Sequence, residues 1–164
     1  MRMTSTLLSL DSRRFVVFGL ALALSSAFLP VQLIAQTGPR TVTIVAGDDM
    51  KYDTTTIQAK PGEQIRIRLT SKGKMPKMVM AHNVVVLTLG TDGAAFTKAG
   101  LAAKATDYIA PEQKKNVVAA TALAGNGETV EVTFKVPTAP GSYPYVCTFP
   151  GHFAAGMKGT LVVK

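Results

Sequence analysis

The stretch YPYVCTFPGHFAAGMKGTLVVK, residues 143–164, decides how the rest of this sequence is read. Its two ends, YPYVC and KGTLVVK, are short runs rich in aromatic and β-branched residues, which is the composition of strands. Between them lies a loop punctuated by proline and glycine. It carries the chain's only cysteine, Cys147, one of its two histidines, His152, and Met157. A strand–loop–strand unit that gathers a thiol, an imidazole and a thioether in so few residues needs a chemical reason.

Outward from this unit the same β pattern recurs. TVTIVAG, TTTIQAK, EQIRIRLTS, NVVVLTL and ETVEVTFKV are short runs separated by Gly, Pro, Asp or Asn. The clearest alternation is Ile65, Arg66, Ile67, Arg68, Leu69, which predicts a strand with aliphatics in the core and arginines in solvent. Seven or eight strands in about 125 residues predict an all-β, Greek-key sandwich or barrel. The alanine-rich stretch from Ala94 to Thr106 is the exception and predicts a short helical crossover excursion, with Pro111 closing it.

The chain has 164 residues, 47% of them apolar, enough for one packed domain plus an appendage. The appendage is the first 35 residues. Three arginines precede an uncharged run from Phe15 to Ala35, with Arg13 and Arg14 directly before it. That is the layout of an export signal, and the arginine pair resembles the twin-arginine type. Residues 1–35 are therefore expected to be a cleaved signal or a retained N-terminal anchor, since 21 apolar residues can also span a bilayer. Residues 36–164 are the expected globular domain, placed in the periplasm or elsewhere outside the cytoplasm, free or anchored.

Export constrains Cys147. Exported proteins use cysteines in pairs, and this chain has no second one, so no internal disulfide can form. His82, in MAHNVVV, opens the strand run some 65 residues earlier, and two such segments can converge at one end of a sandwich. The resulting set is one thiolate, two imidazoles and one thioether. Zinc accepts two His and a Cys, whereas a His₂Cys set with a weak axial Met is the donor set of a blue-copper electron-transfer centre, and the soft, neutral thioether favours copper.

From about Gly47 onward the chain resembles the azurin/auracyanin branch of the cupredoxins, the blue type 1 copper proteins. The resemblance is carried by DDMKYDTTTIQAKPGEQIRI, MPKMVMAHNVVVL and YPYVCTFPGHFAAGMKGTLVVK. It implies the cupredoxin fold and one type 1 copper per chain, with His82, Cys147 and His152 as equatorial ligands and Met157 as the axial one. It also implies that Asn83 and Thr148 tie the two ligand segments together. Phe149 and Pro150 pack beside the solvent-side imidazole, and backbone N–H groups of Asn83 and Phe149 donate to the Cys147 sulfur. The loop reads Cys-x₄-His-x₄-Met, one residue longer before the Met than in azurin because of Gly156. Ala81 stands where azurin has a glycine, which favours a four-coordinate site over one with a fifth, carbonyl contact.

The function so implied is to shuttle single electrons between redox partners by Cu(I)/Cu(II) cycling. The alternative is a carrier or chaperone that holds Cu(I) for delivery. Two histidines are too few for a second copper centre, so an enzyme is not expected. Three of the 18 basic residues and one of the 10 acidic ones fall in the first 35, leaving 15 against 9, a net of +6. That balance fits an acidic partner or an anionic membrane surface, and nothing in the chain suggests base stacking or nucleic acid. The expected docking surface is an apolar patch around His152, with Met75, Met80 and Ala81, on a monomer.

Overall fold

The computed structural model describes residues 38–164, so the expected signal or anchor over residues 1–35 lies outside the described residues. Eight strands form: β1 (Arg40–Gly47), β2 (Thr56–Ala59), β3 (Gln64–Lys72), β4 (Val85–Leu87), β5 (Val117–Ala120), β6 (Thr129–Lys135), β7 (Gly141–Val146) and β8 (Lys158–Val163). They make a three-stranded sheet in the order β1-β3-β6 and a five-stranded sheet in the order β2-β8-β7-β4-β5. Among the described residues no helix is long and apolar enough to cross a membrane.

The alternation in β3 does what side-chain geometry demands of a strand with one face on a core. Ile65, Ile67 and Leu69 are fully buried. Arg66 and Arg68 face outward, where both reach Glu131 on the neighbouring β6. These ion pairs are exposed and contribute little. The core forms between the two sheets, with Ile44, Ile65, Ile67 and Leu69 from one meeting Val86, Tyr145 and Leu161 from the other.

Strand β4 is buried on every residue, because both of its faces are covered. Val86 joins the inter-sheet core, whereas Val85 and Leu87 pack outward against Phe96 of the helix described next and against Val146. A continuous apolar run is what such a doubly covered strand requires.

The excursion between β4 and β5 is less helical than its composition suggests. Helix α1 spans only Gly93–Ala99, capped by the Asp92 carboxylate, which accepts from the N–H groups of Ala94 and Ala95. The chain then tightens into 3-10 turns at Gly100–Ala102 and Lys104–Thr106. The α-helix stops where the returning chain presses on it: a Cβ at Gly100 would lie 1.9 Å from the carbonyl oxygen of Tyr108. Pro111 opens a third 3-10 turn, Pro111–Asn116, and strand β5 follows it; its VVAA run escaped the sequence pattern because it is short and sits on the edge of its sheet.

Ile67→Ala should cost about 3 kcal/mol of stability, the usual range for emptying a fully buried aliphatic position. Its exposed neighbour Arg66→Ala should stay within about 0.5 kcal/mol. Urea denaturation of the two variants beside the parent measures both, and equal costs would show that the alternation does not orient the strand.

Candidate metal centre

Three chain segments meet at one end of the sandwich. The first runs through a tight turn in which the N–H groups of Val79 and Met80 both donate to the Pro76 carbonyl, and then delivers His82. His82 does not sit within a named strand. It forms an isolated bridge with Ala124, its N–H donating to the Ala124 carbonyl at 2.9 Å and its own carbonyl accepting from Ala124 N–H at 2.8 Å.

The second segment is the loop from Cys147 to Met157. It is the closed end of the β7–β8 hairpin, in which Val146 pairs with Lys158. The ladder extends one step further, since Cys147 N–H donates to the Met157 carbonyl at 3.2 Å. Met157 N–H in turn donates to the His152 carbonyl at 2.9 Å, so the backbone alone ties all three residues together. The loop turns on Gly151 (φ 85°) and Gly156 (φ 96°), a left-handed backbone that favours glycine. Gly156, the residue that lengthens the loop, also lies under Lys51, whose Nζ donates to the neighbouring Ala155 carbonyl.

The third segment is the return from α1. Asp107 and Tyr108 adopt left-handed φ values of 51° and 59°, which aims the Asp107 carbonyl at the other two segments. It accepts from Thr148 Oγ1–H at 2.6 Å, and Asn83 Nδ2 reaches it at 3.5 Å. Asn83 and Thr148 bond twice: Asn83 Nδ2 donates to Thr148 Oγ1 at 2.7 Å, and Thr148 N–H donates to Asn83 Oδ1 at 2.9 Å. The side-chain pair inferred from resemblance is therefore present. The Asp107 carbonyl was not foreseen, because a backbone oxygen leaves no side-chain signal.

Inside this frame, single donor atoms of His82, Cys147 and His152 lie within 4.8 Å of one another, all three residues being buried. Cys147 Sγ and His152 Nδ1 are 3.4 Å apart. The imidazole rings of His82 and His152 are 4.9 Å apart, centre to centre. Met157 is fully buried beside them. Neither ring nitrogen of His82 has a hydrogen-bond partner among the described residues. An orphaned buried imidazole is costly unless something else satisfies it, and a metal ion held with a thiolate and a second imidazole would take up one of its two nitrogens. The donor chemistry fits a soft metal of the copper type. The Ala81 carbonyl oxygen is 4.0 Å from Cys147 Sγ.

Burial sets the protonation states of the metal-free site. Desolvation, then repulsion from His82, pushes His152 down to about 4. Desolvation lowers His82 as well, against the pull of Asp48 and Asp49. Desolvation pushes the Cys147 thiol up to about 11, partly offset by hydrogen bonds from backbone N–H groups of Asn83 and Phe149 and from the Tyr52 side chain.

His152 itself is only 2% exposed, and Ala81 is buried too. The surface around the site is apolar nonetheless. Met78 (83%), Val79 and Met75 stand out in solvent, and a basin of about 410 Å³ is lined by Met78, Ala81, Tyr108 and Phe149 with Lys77 and Lys104. Of the residues expected to form a patch around His152, His152 and Ala81 are buried and Met75 is exposed.

A family model described as copper binding proteins, plastocyanin/azurin family, matches residues 40–164. Auracyanin-A of Chloroflexus aurantiacus is 37% identical over 129 residues, covering 77% of this chain and 76% of that protein. Azurin of Pseudomonas fluorescens biotype C is 38% identical over 126 residues, covering 75% and 97%. Among solved structures, a dithionite-reduced auracyanin of Roseiflexus castenholzii superposes with a TM-score of 0.68 at 30% identity, over 77% of this chain and 99% of that one. Auracyanin A of Chloroflexus aurantiacus, described as a "blue" copper protein, gives 0.67 at 36% identity, over 77% and 100%.

The protonation pattern predicts how the copper-free domain responds to pH. His152 resists protonation when folded, so its contribution is present above the ordinary value of 6.5 and is lost as pH falls toward 4. Cys147 resists deprotonation, so its contribution is present below the ordinary 9.0 and is lost as pH rises toward 11. Urea midpoints of copper-free protein should therefore hold a plateau between pH 6.5 and 9.0 and fall on both sides. His152→Gln should flatten the limb just below pH 6.5. A plateau running unchanged to pH 5 would contradict the burial of the two imidazoles.

Proposed function

Because this chain belongs to the plastocyanin/azurin family of copper-binding proteins, a family of blue copper electron carriers, we propose that it is a small exported protein that shuttles single electrons between redox partners. His82, Cys147 and His152 are the equatorial copper ligands in this reading and Met157 the axial one. The observation that carries it is the unsatisfied imidazole of His82, buried within reach of the only thiol and the other imidazole. Copper supplies the one-electron couple. The protein's part is to hold three strong donors in one arrangement for both oxidation states, so that little has to move when the electron does.

Backbone and side-chain anchors on every ligand support that part. His82 is held by a two-way bridge to Ala124, Cys147 by its N–H on Met157, and the two ligand segments by the Asn83–Thr148 pair. The alternative, a carrier that releases Cu(I), calls for ligands an acceptor protein can reach. Burial of all four proposed ligands to 2% exposure or less favours the shuttle. Partners are proposed to dock on the apolar surface around Met78 and the Phe149 basin, as brief encounters suit weak redox complexes. The net charge of +6 beyond residue 35 favours anionic ones. The first 35 residues are proposed to direct export, and to remain as an anchor if they are not cleaved.

The test is direct. Residues 36–164, loaded with Cu(II), should show the intense visible band of a thiolate–copper centre, and Cys147→Ser should abolish it. Met157→Leu should keep copper and colour while raising the reduction potential, because a weak axial bond adds little affinity but favours the oxidised ion. A colourless product from the parent sequence would refute the function, and loss of copper from Met157→Leu would refute the axial assignment alone.

Charge gives a second measurable outcome. At low ionic strength the reduced protein should be oxidised faster by ferricyanide than by a cationic cobalt(III) complex of matched driving force. The gap should close as salt screens the field over about 10 Å at 0.1 M. A salt-independent ratio would mean that the net charge does not steer partners.

A further inference from the structure

Met75, Met78 and Met80 fall within six residues, in the run KMPKMVMAH, residues 74–82, that ends on the proposed ligand His82. None of the three belongs to the buried clusters of the core. Met75 is 43% and Met78 83% exposed, and Met80 is half-buried. As apolar contact surface, leucine would serve at these positions equally well. Methionine differs from it in one respect, a soft and neutral sulfur on a flexible side chain.

The turn that carries them is closed by the Val79 and Met80 N–H groups on the Pro76 carbonyl, both at 3.0 Å. All three side chains therefore start from one turn of backbone, and three rotatable bonds in each let the sulfurs come round to a common ion. Lys77, in the middle of the run, is drawn aside: its Nζ donates to Glu128 at 2.7 Å, and its stem fills the space beside Gly125. Lys72 and Lys74 stand just before the turn in sequence, and their repulsion is twice as strong on a divalent ion as on a monovalent one. Thioethers themselves select Cu(I). Donor type and surrounding charge thus favour the same ion.

The turn also stands over the buried centre. Met78 lines the basin of about 410 Å³ together with Ala81 and Phe149. The Ala81 carbonyl is 4.0 Å from Cys147 Sγ, and the Phe149 ring is 4.8 Å from that of His152. The basin thus leads from an exposed thioether to the residues that cover the buried donors. All four proposed ligands are 2% exposed or less, so copper arriving from solvent needs an outer foothold before it reaches them.

We propose that Met75, Met78 and Met80 form a surface site for Cu(I) that fills the buried centre. This rests on the copper reading above. Filling is ligand exchange at constant oxidation state: bonds from the ion to the thioethers break, bonds to the Cys147 sulfur and the two imidazoles form, and the thiol proton leaves to solvent.

The copper-loaded full chain, kept reduced, is titrated with further Cu(I) against a chromophoric Cu(I) chelator, with the methionine methyl carbons labelled for NMR. One further equivalent should bind, and the methyl signals of Met75, Met78 and Met80 should shift while that of Met157 stays. Combining Met75→Leu with Met78→Leu keeps the apolar volume and, at exposed positions, the fold. The double variant should hold the second equivalent at least about tenfold more weakly, the lower end of what losing even a supporting partner costs a metal site. Copper-free full chain should fill from the Cu(I) chelate more slowly in this variant by a comparable factor, whereas filling from Cu(II), followed by the visible band, should keep the parent's rate. Absence of a further equivalent, or one that survives the double variant unchanged, overturns the site. Equal rates of filling from Cu(I) overturn its role as the entry. A parent without the visible band would instead overturn the copper reading and the filling role with it, while the methionine shifts still decide the surface site.

Discussion

Two hydrogen bonds between Asn83 and Thr148 hold together what the chain separates by 65 residues. Each residue adjoins a proposed ligand, Asn83 following His82 and Thr148 following Cys147, so the pair fixes one ligand segment against the other. The side-chain amide uses both ends, donating to the hydroxyl and accepting from the backbone N–H. The hydroxyl then passes its own proton to the Asp107 carbonyl. No polar group of this small network is left over, which is the condition under which buried polar networks rigidify a site rather than weaken it. The helical excursion finds its use here. Its contribution to the site is one carbonyl oxygen and the ring of Tyr108, packed edge-on against Phe149.

The network makes the site rigid before any metal arrives, at a cost. Among the described residues both nitrogens of His82 lack a partner, the thiol of Cys147 is buried, and the two buried imidazoles lie 4.9 Å apart, centre to centre. Buried groups without partners typically cost about 1–3 kcal/mol each. The sandwich tolerates this because its core is continuous: Ile44, Ile65, Ile67, Leu69 and Leu161 are all fully buried beneath the site, and Cys147 and Met157 belong to the same cluster. Copper binding to such a frame turns unsatisfied donors into bonds without first having to order the chain, and the binding energy then appears as added stability of the native state.

What the sequence revealed and what it concealed divide along a physical line. Side-chain chemistry and strand alternation were legible: Ile65, Ile67 and Leu69 against Arg66 and Arg68, and the Cys, His and Met of one hairpin loop. So was the Asn83–Thr148 pair, once the loop had suggested a family. Features produced by one backbone lying against another were not. The helix ends at Ala99 because Gly100 lies against Tyr108, which no local propensity encodes. Asp107 acts through its carbonyl, and strand β5 exists because β4 offers it a paired edge. Burial of His152 depends on how the loop folds back through Gly151 and Gly156, so a reading from loop composition left the imidazole too exposed.

The covering of His152 bears on how an electron leaves the site. Its ring lies 4.8 Å from that of Phe149, and the exposed Pro150 and Gly151 are the next residues of the same loop. In the proposed function a partner presses on this apolar side chain and loop backbone and sheds water on contact. Water excluded from a charged site no longer reorients when the charge changes, so burial of the imidazole serves the same end as ligand rigidity. An exposed imidazole would give a shorter path through a wetter site. In the proposed function the path runs under apolar surface and charge is left to the rim, where Lys104 and the Glu128-bonded Lys77 stand beside the basin.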